Sequence, residues 1–167
     1  GIAVDDNSNL ELTNVLVKEN QSKYGGGIYI EESDGLFSNV DILNNTGSLE
    51  VGGIYMGNES NLSILNSNIS YNSSYMYGAF KVYPASILYS YKNLINNNTA
   101  DHIGGAIGVI SANSVNLINN TIVNNIGSNE NEGLGAAIYF ENNSVNVVNT
   151  IFHNNFPSNW IGMNGSS

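Results

Sequence analysis

The feature that most constrains this chain is a repeat. A small-apolar-x-apolar run recurs as Gly1-Ile2-Ala3-Val4, Gly27-Ile28-Tyr29-Ile30, Gly53-Ile54-Tyr55-Met56, Ala79-Phe80-Lys81-Val82, Ala106-Ile107-Gly108-Val109 and Ala137-Ile138-Tyr139-Phe140. From Ile2 to Ile138 the copies are spaced by 26, 26, 26, 27 and 31 residues, and Ile161-Gly162-Met163 reads as a seventh, weaker copy. A module that returns at a fixed period cannot bury an apolar face alone, so neighbouring copies must stack.

A second motif follows each copy: apolar-x-apolar-x-Asn, then an apolar residue, then Asn. It reads Leu10, Leu12, Asn14, Val17, Asn20 in the first unit and Leu62, Ile64, Asn66, Ile69, Asn72 in the third. The fifth gives Val115, Leu117, Asn119, Ile122, Asn125, and the sixth Val145, Val147, Asn149, Phe152, Asn155. Units two and four read Gly35, Phe37, Asn39, Ile42, Asn45 and Ile87, Tyr89, Tyr91, Leu94, Asn97. Within each run the apolar period is two and β-branched residues are enriched, which specifies strands. Hairpins would not superpose equivalent residues, whereas a coil pairs each strand in parallel with its copy one turn later, about 4.8 Å away. The expectation is an all-β, right-handed parallel β-helix of about six coils with three short strands per coil, forming a single domain over residues 1–167. Ile28 and Ile30 then point inward and Tyr29 outward. Asn20, Asn45, Asn72, Asn97, Asn125 and Asn155 form a stacked ladder at a corner, where Asn tolerates a left-handed bend and its amide bonds to its copies.

Composition narrows the function. The chain has 14 acidic residues against four lysines and no arginine, for a net charge of -10. Phosphate neutralisation requires Lys and Arg, so a nucleic-acid partner is excluded, and anionic membrane surfaces are disfavoured. No apolar run approaches the roughly 18 residues of a membrane span. The absence of Cys removes thiolate metal sites and disulfide scaffolds. Only 11% of residues are charged, and 32 asparagines take their place.

The pairing of Gly104-Gly105-Ala106-Ile107 with Asn119 to Asn125, and of Gly135-Ala136-Ala137-Ile138 with Asn149-Thr150-Ile151-Phe152-His153-Asn154-Asn155, resembles the repeats of polymorphic outer-membrane and adhesin-like proteins. The resemblance covers nearly the whole chain. It implies a right-handed parallel β-helix on an extracellular or cell-surface protein, and the uncapped repeat, the missing catalytic base and the amide-rich surface add the expectation of a non-enzymatic structural or adhesive role. Pectate-lyase-like enzymes share the scaffold, so a polysaccharide-binding or polysaccharide-cleaving role is the alternative. Neither terminus supplies a polar cap, which suggests a segment of a longer stalk or a subunit stacking end to end. The expected partners are other copies, flanking coils, or cell-surface glycans and proteins.

No catalytic residues stand out. Arg is missing, Lys81 is the only lysine in a first strand, and no lysine falls in register with a carboxylate cluster. Asp5, Asp6, Glu31, Glu32, Asp34 and Glu59 gather after the first strand, with Glu141 further along, as either a solvated acidic edge or a calcium edge; no other cofactor is implied. Tyr29, Tyr55 and Tyr139 project from one face, and Tyr71, Tyr75, Tyr77 and Tyr83 crowd the third and fourth coils. These rings either contact a carbohydrate or protein partner or cover the sheet. His102 and His153 lack a recurring carboxylate partner. Asn-x-Ser/Thr occurs at ten asparagines. Asn20, Asn72, Asn97 and Asn119 are assigned to inward columns, which leaves Asn58, Asn61, Asn142 and Asn164 as the glycosylation candidates.

Overall fold

The computed structural model describes residues 1–127, 135–158 and 160–163, the last four as backbone. All strand pairings among the described residues are parallel. The first sheet contains seven strands: Ile2–Val4, Ile28–Ile30, Ile54–Met56, Phe80–Val82, Ile107–Ile110, Ile138–Glu141 and Trp160–Met163. Six equivalent strands bound five turns of the coil between Ile2 and Ile138, and the weaker seventh copy opens the next turn by pairing Tyr139 with Ile161. The chain is therefore a parallel β-solenoid of about five turns, with no helix among the described residues.

The second and third faces share one ten-stranded sheet. In the first two coils, Asn9–Lys18 and Asp34–Leu43 run through both faces as single strands. Later coils break the same path in two, as in Asn61–Leu65 and Asn68–Ser70, or Ser114–Ile118 and Thr121–Val123. A small sheet of two-residue strands, Gln21–Ser22, Thr46–Gly47, Ser73–Ser74 and Thr99–Ala100, leads back toward the first sheet. Inside lies one continuous core, to which the first sheet contributes Ile28, Ile30, Ile54, Met56, Phe80, Val82, Ile107 and Val109. Alternation thus sends Ile28 and Ile30 inward and leaves Tyr29 half-buried on the outside.

The corners obey a rule that the sequence only half reveals. Each coil bends at three places, and at each bend a residue in the left-handed region is followed by the residue that closes the corner. The first corner has Asn7, Glu32, Glu59, Ala85, Ser111 and Asn142. The second has Asn14, Asn39, Asn66, Lys92, Asn119 and Asn149, and the third Glu19, Asn44, Tyr71, Asn97, Asn124 and Asn154. With Asp6, these are all the left-handed non-glycine residues among those described. Asn is the commonest because its short polar side chain lowers the cost of that conformation.

The next residue in each corner carries the hydrogen bonds. At the third corner this is Asn20, Asn45, Asn72, Asn98, Asn125 and Asn155. The amides of Asn45, Asn72, Asn98 and Asn125 each donate their backbone N–H and Nδ2 to the Oδ1 of the next coil's Asn, at 2.9–3.0 Å. Their Nδ2 atoms also donate to the carbonyls of Val17, Ile42, Ile69 and Ile95 in the preceding coil. A second ladder of Ser67, Asn93, Asn120 and Thr150 serves the middle corner, where each backbone N–H donates to the next side chain. Serines 8, 33, 60 and 86 sit at the equivalent place of the first corner, and Ser8 N–H donates to Ser33 Oγ while Ser60 N–H donates to Ser86 Oγ. At the third corner, backbone N–H groups that the bend would leave unpaired are satisfied this way from Asn20 to Asn125, and at the other two corners in some of the turns.

Two expectations need correction. Asn97 is not a ladder residue: it occupies the left-handed site, and Asn98 carries the ladder. The ladder asparagines are accordingly not the left-handed ones. The cause is a one-residue slip in the fourth unit, whose true register pairs Leu88 with Leu62, Ser90 with Ile64 and Ile95 with Ile69. Leu88, Ser90 and Ile95 are fully buried, whereas Ile87, Tyr89 and Leu94 are exposed. Their apolar character imitates an inward set, and shifting a strand by one residue exchanges its faces.

Candidate contact face

The outward side of the first sheet holds a cluster of aromatic and charged side chains. Strand register places Ala3, Tyr29, Tyr55, Lys81, Gly108 and Tyr139 in one row along the stack. Because equivalent residues are one coil apart, rings in this row stack along the rod axis. Tyr29 and Tyr55 lie nearly parallel, with centroids 4.7 Å apart and planes 11° from each other. Tyr83 and Tyr24 pack against Tyr55 at 5.3 and 6.1 Å in tilted geometry.

The row then changes character. Lys81 is buried, with its ammonium 4.0 Å from the Tyr77 ring centroid and 4.8 Å from that of Tyr83. Burial lowers its pKa to about 8, against the opposing pull of the Glu50 and Glu141 carboxylates. Tyr77 comes from the loop before Phe80–Val82 and lies over Gly108, where a Cβ would sit only 2.2 Å from its ring carbons. Glycine at this row position is therefore the space that admits Tyr77. The Tyr77 hydroxyl is buried without a hydrogen-bond partner among the described residues.

Carboxylates hold the rim. Tyr83 donates to Glu50 at 2.8 Å, Tyr139 to Glu141 at 3.2 Å, and Tyr29 to Glu31. Burial and then Glu31 push the Tyr55 hydroxyl up to about 12. Burial first, and the neighbouring carboxylates next, hold Tyr29 and Tyr83 above the ordinary phenol range. These tyrosines act as neutral donors around a face whose only buried cation is Lys81.

Of the expected contact residues, Tyr29 and Tyr55 come together on this face. Tyr139 is separated from them by Lys81 and Gly108 and is buried beside Tyr77, at a centroid distance of 6.5 Å. Tyr77 and Tyr83 join the cluster, while Tyr71 and Tyr75 are exposed elsewhere, and Tyr75 stacks on His102 at 5.2 Å. Lys81, expected to be out of register with any carboxylate cluster, has no ion pair within 4 Å among the described residues, and only the field of Glu50 and Glu141 reaches it. What sequence reasoning missed was this group and Tyr24. The available signal was the break in the tyrosine row at Lys81 and Gly108.

The acidic corner is more dispersed than expected. Glu32, Asp34 and Glu59 line one depression of about 280 Å³ with Asn7, Ser8 and Asn61. Asp34 accepts from Asn61 Nδ2 at 2.8 Å, Glu31 turns to Tyr29, and Asp5 and Asp6 are exposed. Among the described residues, no three His, Asp or Glu side chains are grouped to hold a metal ion.

The sequons sort by corner position. Asn20 and Asn72 spend their Nδ2 groups in the ladder. Asn97 and Asn119, expected inside, are the half-buried left-handed residues of their corners. Asn58, Asn61 and Asn142 are exposed, and Asn164 lies outside the described residues. The runs Asn44-Asn45-Thr46, Asn97-Asn98-Thr99 and Asn119-Asn120-Thr121 each consist of a left-handed Asn, a ladder Asn and the start of a strand. These three sequons are thus a by-product of corner construction.

No helix among the described residues is long and apolar enough to cross a membrane. No curated protein and no solved structure matches the chain. A family model described as the right handed beta helix region matches residues 1–167, which agrees with the parallel coils and the corner ladders. The chain belongs to the right-handed β-helix family.

Proposed function

We propose that this chain is a non-enzymatic rod segment of an extracellular, adhesin-like surface protein, contacting other copies, flanking coils or surface glycans. The observation that supports the reading is the third-corner ladder, in which Asn20, Asn45, Asn72, Asn98 and Asn125 each donate to the next coil's Asn and tie the described coils into a hydrogen-bonded stack. Such a stack is extended by adding coils, and its strands can continue into the strands of a neighbour. In this reading the acidic corner, where Glu32, Asp34 and Glu59 line one depression, is a solvated edge. Exposed Asn58, Asn61 and Asn142 are acceptors for glycans in a secreted protein.

The second reading, cleavage of a polysaccharide, draws on Lys81. An amine whose pKa burial lowers to about 8 has the proton affinity of a general base. Against it, Lys81 is only 2% exposed beneath Tyr77 and Tyr83, so a sugar proton has no approach to it. The two readings separate when the purified protein is incubated with acidic and neutral polysaccharides, with and without calcium. The rod reading expects no cleavage and surface labelling of intact cells by antibody; depolymerisation abolished by Lys81→Met would replace it with the enzymatic one.

A further inference from the structure

Tyr29 and Tyr55 occupy paired positions on adjacent strands, so their side chains leave the sheet in the same direction, one coil apart. Their rings are nearly parallel, with planes 11° from each other and centroids 4.7 Å apart. Facing ring carbons are therefore at van der Waals contact, about 3.5–4 Å. Both residues are half-buried, which leaves one side of the pair open to solvent. The other close tyrosine pairs differ. Tyr24–Tyr55 and Tyr55–Tyr83 are tilted by 59° and 46°, and Tyr77–Tyr139 is tilted by 40° and buried. Each stacked ring also has a route for its phenol proton. Tyr29 donates to the Glu31 carboxylate, and the Tyr55 hydroxyl lies beside that of Tyr83, which donates to Glu50 at 2.8 Å. Burial and the nearby carboxylates keep both phenols protonated at neutral pH, so removing an electron from either ring requires a base for the proton.

We infer that the Tyr29–Tyr55 pair is an oxidative coupling site, where a haem peroxidase with hydrogen peroxide joins the two rings through their ortho carbons and staples neighbouring coils. Each ring loses one electron to the oxidant and its hydroxyl proton to a carboxylate, Tyr29 to Glu31 and Tyr55 through Tyr83 to Glu50. The two neutral radicals then form one C–C bond between ortho carbons. Each ring regains its hydroxyl when the hydrogen on the bonded carbon moves to the oxygen. One hydrogen peroxide takes up the two electrons and two protons and leaves as two waters. The new bond ties residues 26 apart in sequence, which restricts the unfolded chain as a disulfide does. The chain has no Cys with which to make that bond instead. This chemistry goes beyond the proposed function and needs only the oxidant, not a surface location.

The test is oxidation of the dilute, folded chain by a haem peroxidase and hydrogen peroxide, read by dityrosine fluorescence and by mass spectrometry after cleavage at glutamate. Residues 20–31 should be recovered joined to residues 51–59, at the summed mass less two hydrogen atoms, with fragmentation placing the link at Tyr29 and Tyr55. Tyr29→Phe and Tyr55→Phe should each abolish the link. Tyr24→Phe, which removes the other tyrosine of the first peptide, should retain it. Glu31→Gln, which removes the base beside Tyr29, should slow coupling at least about tenfold. In urea-unfolded chain the preference for this pair should vanish, and the linked chain should unfold at a higher urea midpoint than the unlinked one. The inference is overturned if the folded chain yields no link while free tyrosine couples in the same mixture, or if Tyr24 or a tyrosine of a second molecule is the main partner. Coupling of Glu31→Gln at the parent rate, or a link that leaves the urea midpoint unchanged, would overturn it as well. Finding the protein inside the cell would sink the proposed surface role and leave this result standing.

Discussion

Replacing Asn98 by Ala tests the corner rule where it departs from sequence reading. Asn98 Oδ1 accepts from the backbone N–H and Nδ2 of Asn72, both at 3.0 Å, and its Nδ2 donates to Asn125 Oδ1 and the Ile69 carbonyl. After truncation, Asn72 Nδ2 keeps the Ile42 carbonyl, and Asn125 Oδ1 keeps the Asn98 backbone N–H. The Asn72 N–H is left unpaired in a fully buried position, and the Ile69 carbonyl loses a donor. At about 1–3 kcal/mol for each such group, the expected loss is about 4 kcal/mol. Asn97→Ala removes no hydrogen bond among the described residues and only puts Ala in the left-handed region, at about 1 kcal/mol. Urea unfolding reads the global difference, and amide exchange at Asn72 reads the local one, which should accelerate about a thousandfold in Asn98→Ala. Equal or greater destabilisation by Asn97→Ala would refute the register and the division of labour within the corner.

Lys81 loses affinity for its proton on folding, so the unfolded chain binds more protons above about pH 8, and stability should rise with pH from there to about pH 9. Between about pH 9 and pH 10 the trend should reverse, because Tyr29, Tyr77 and Tyr83 resist ionisation when folded but ionise freely when unfolded. Lys81→Met should abolish the rise and stabilise the protein at pH 7 by about 1–3 kcal/mol, after the lost cation–π attraction is deducted; a parent melting profile flat from pH 7 to 10 would contradict this. Gly108→Ala should cost about 1–3 kcal/mol through collision with Tyr77 and close to nothing in a Tyr77→Ala background, a coupling that a double-mutant cycle of unfolding energies measures directly. Tyr71→Asn should stabilise by about 0.5–1 kcal/mol by relieving a left-handed tyrosine, read as a higher denaturation midpoint.

The first sheet was legible because Ile28, Ile30, Ile54 and Met56 alternate with outward tyrosines at constant spacing, and alternation fixes the face of each side chain. The fourth unit was misread for the same physical reason. Ile87, Tyr89 and Leu94 form an apolar period-two set on the solvent side, while the inward place of Ser90 is polar because its hydroxyl donates to Asn120. Three consecutive asparagines, Asn96 to Asn98, then offered no local way to choose the ladder member. At the contact face, alternation correctly brought Tyr29 and Tyr55 together. It could not foresee Tyr77, which arrives from a loop and whose position depends on the missing side chain of Gly108. Tyr139 was placed in the correct row, but its burial follows from Tyr77 and so was invisible to the pattern.

The proposed role stands or falls on whether these coils are part of a surface rod. Cryo-electron microscopy of the native protein on intact cells, located by gold-labelled antibody, measures this directly. A surface rod places label on the cell exterior over slender rods with an axial repeat of about 4.8 Å. Label confined inside the cell, or on compact particles without that repeat, would contradict it.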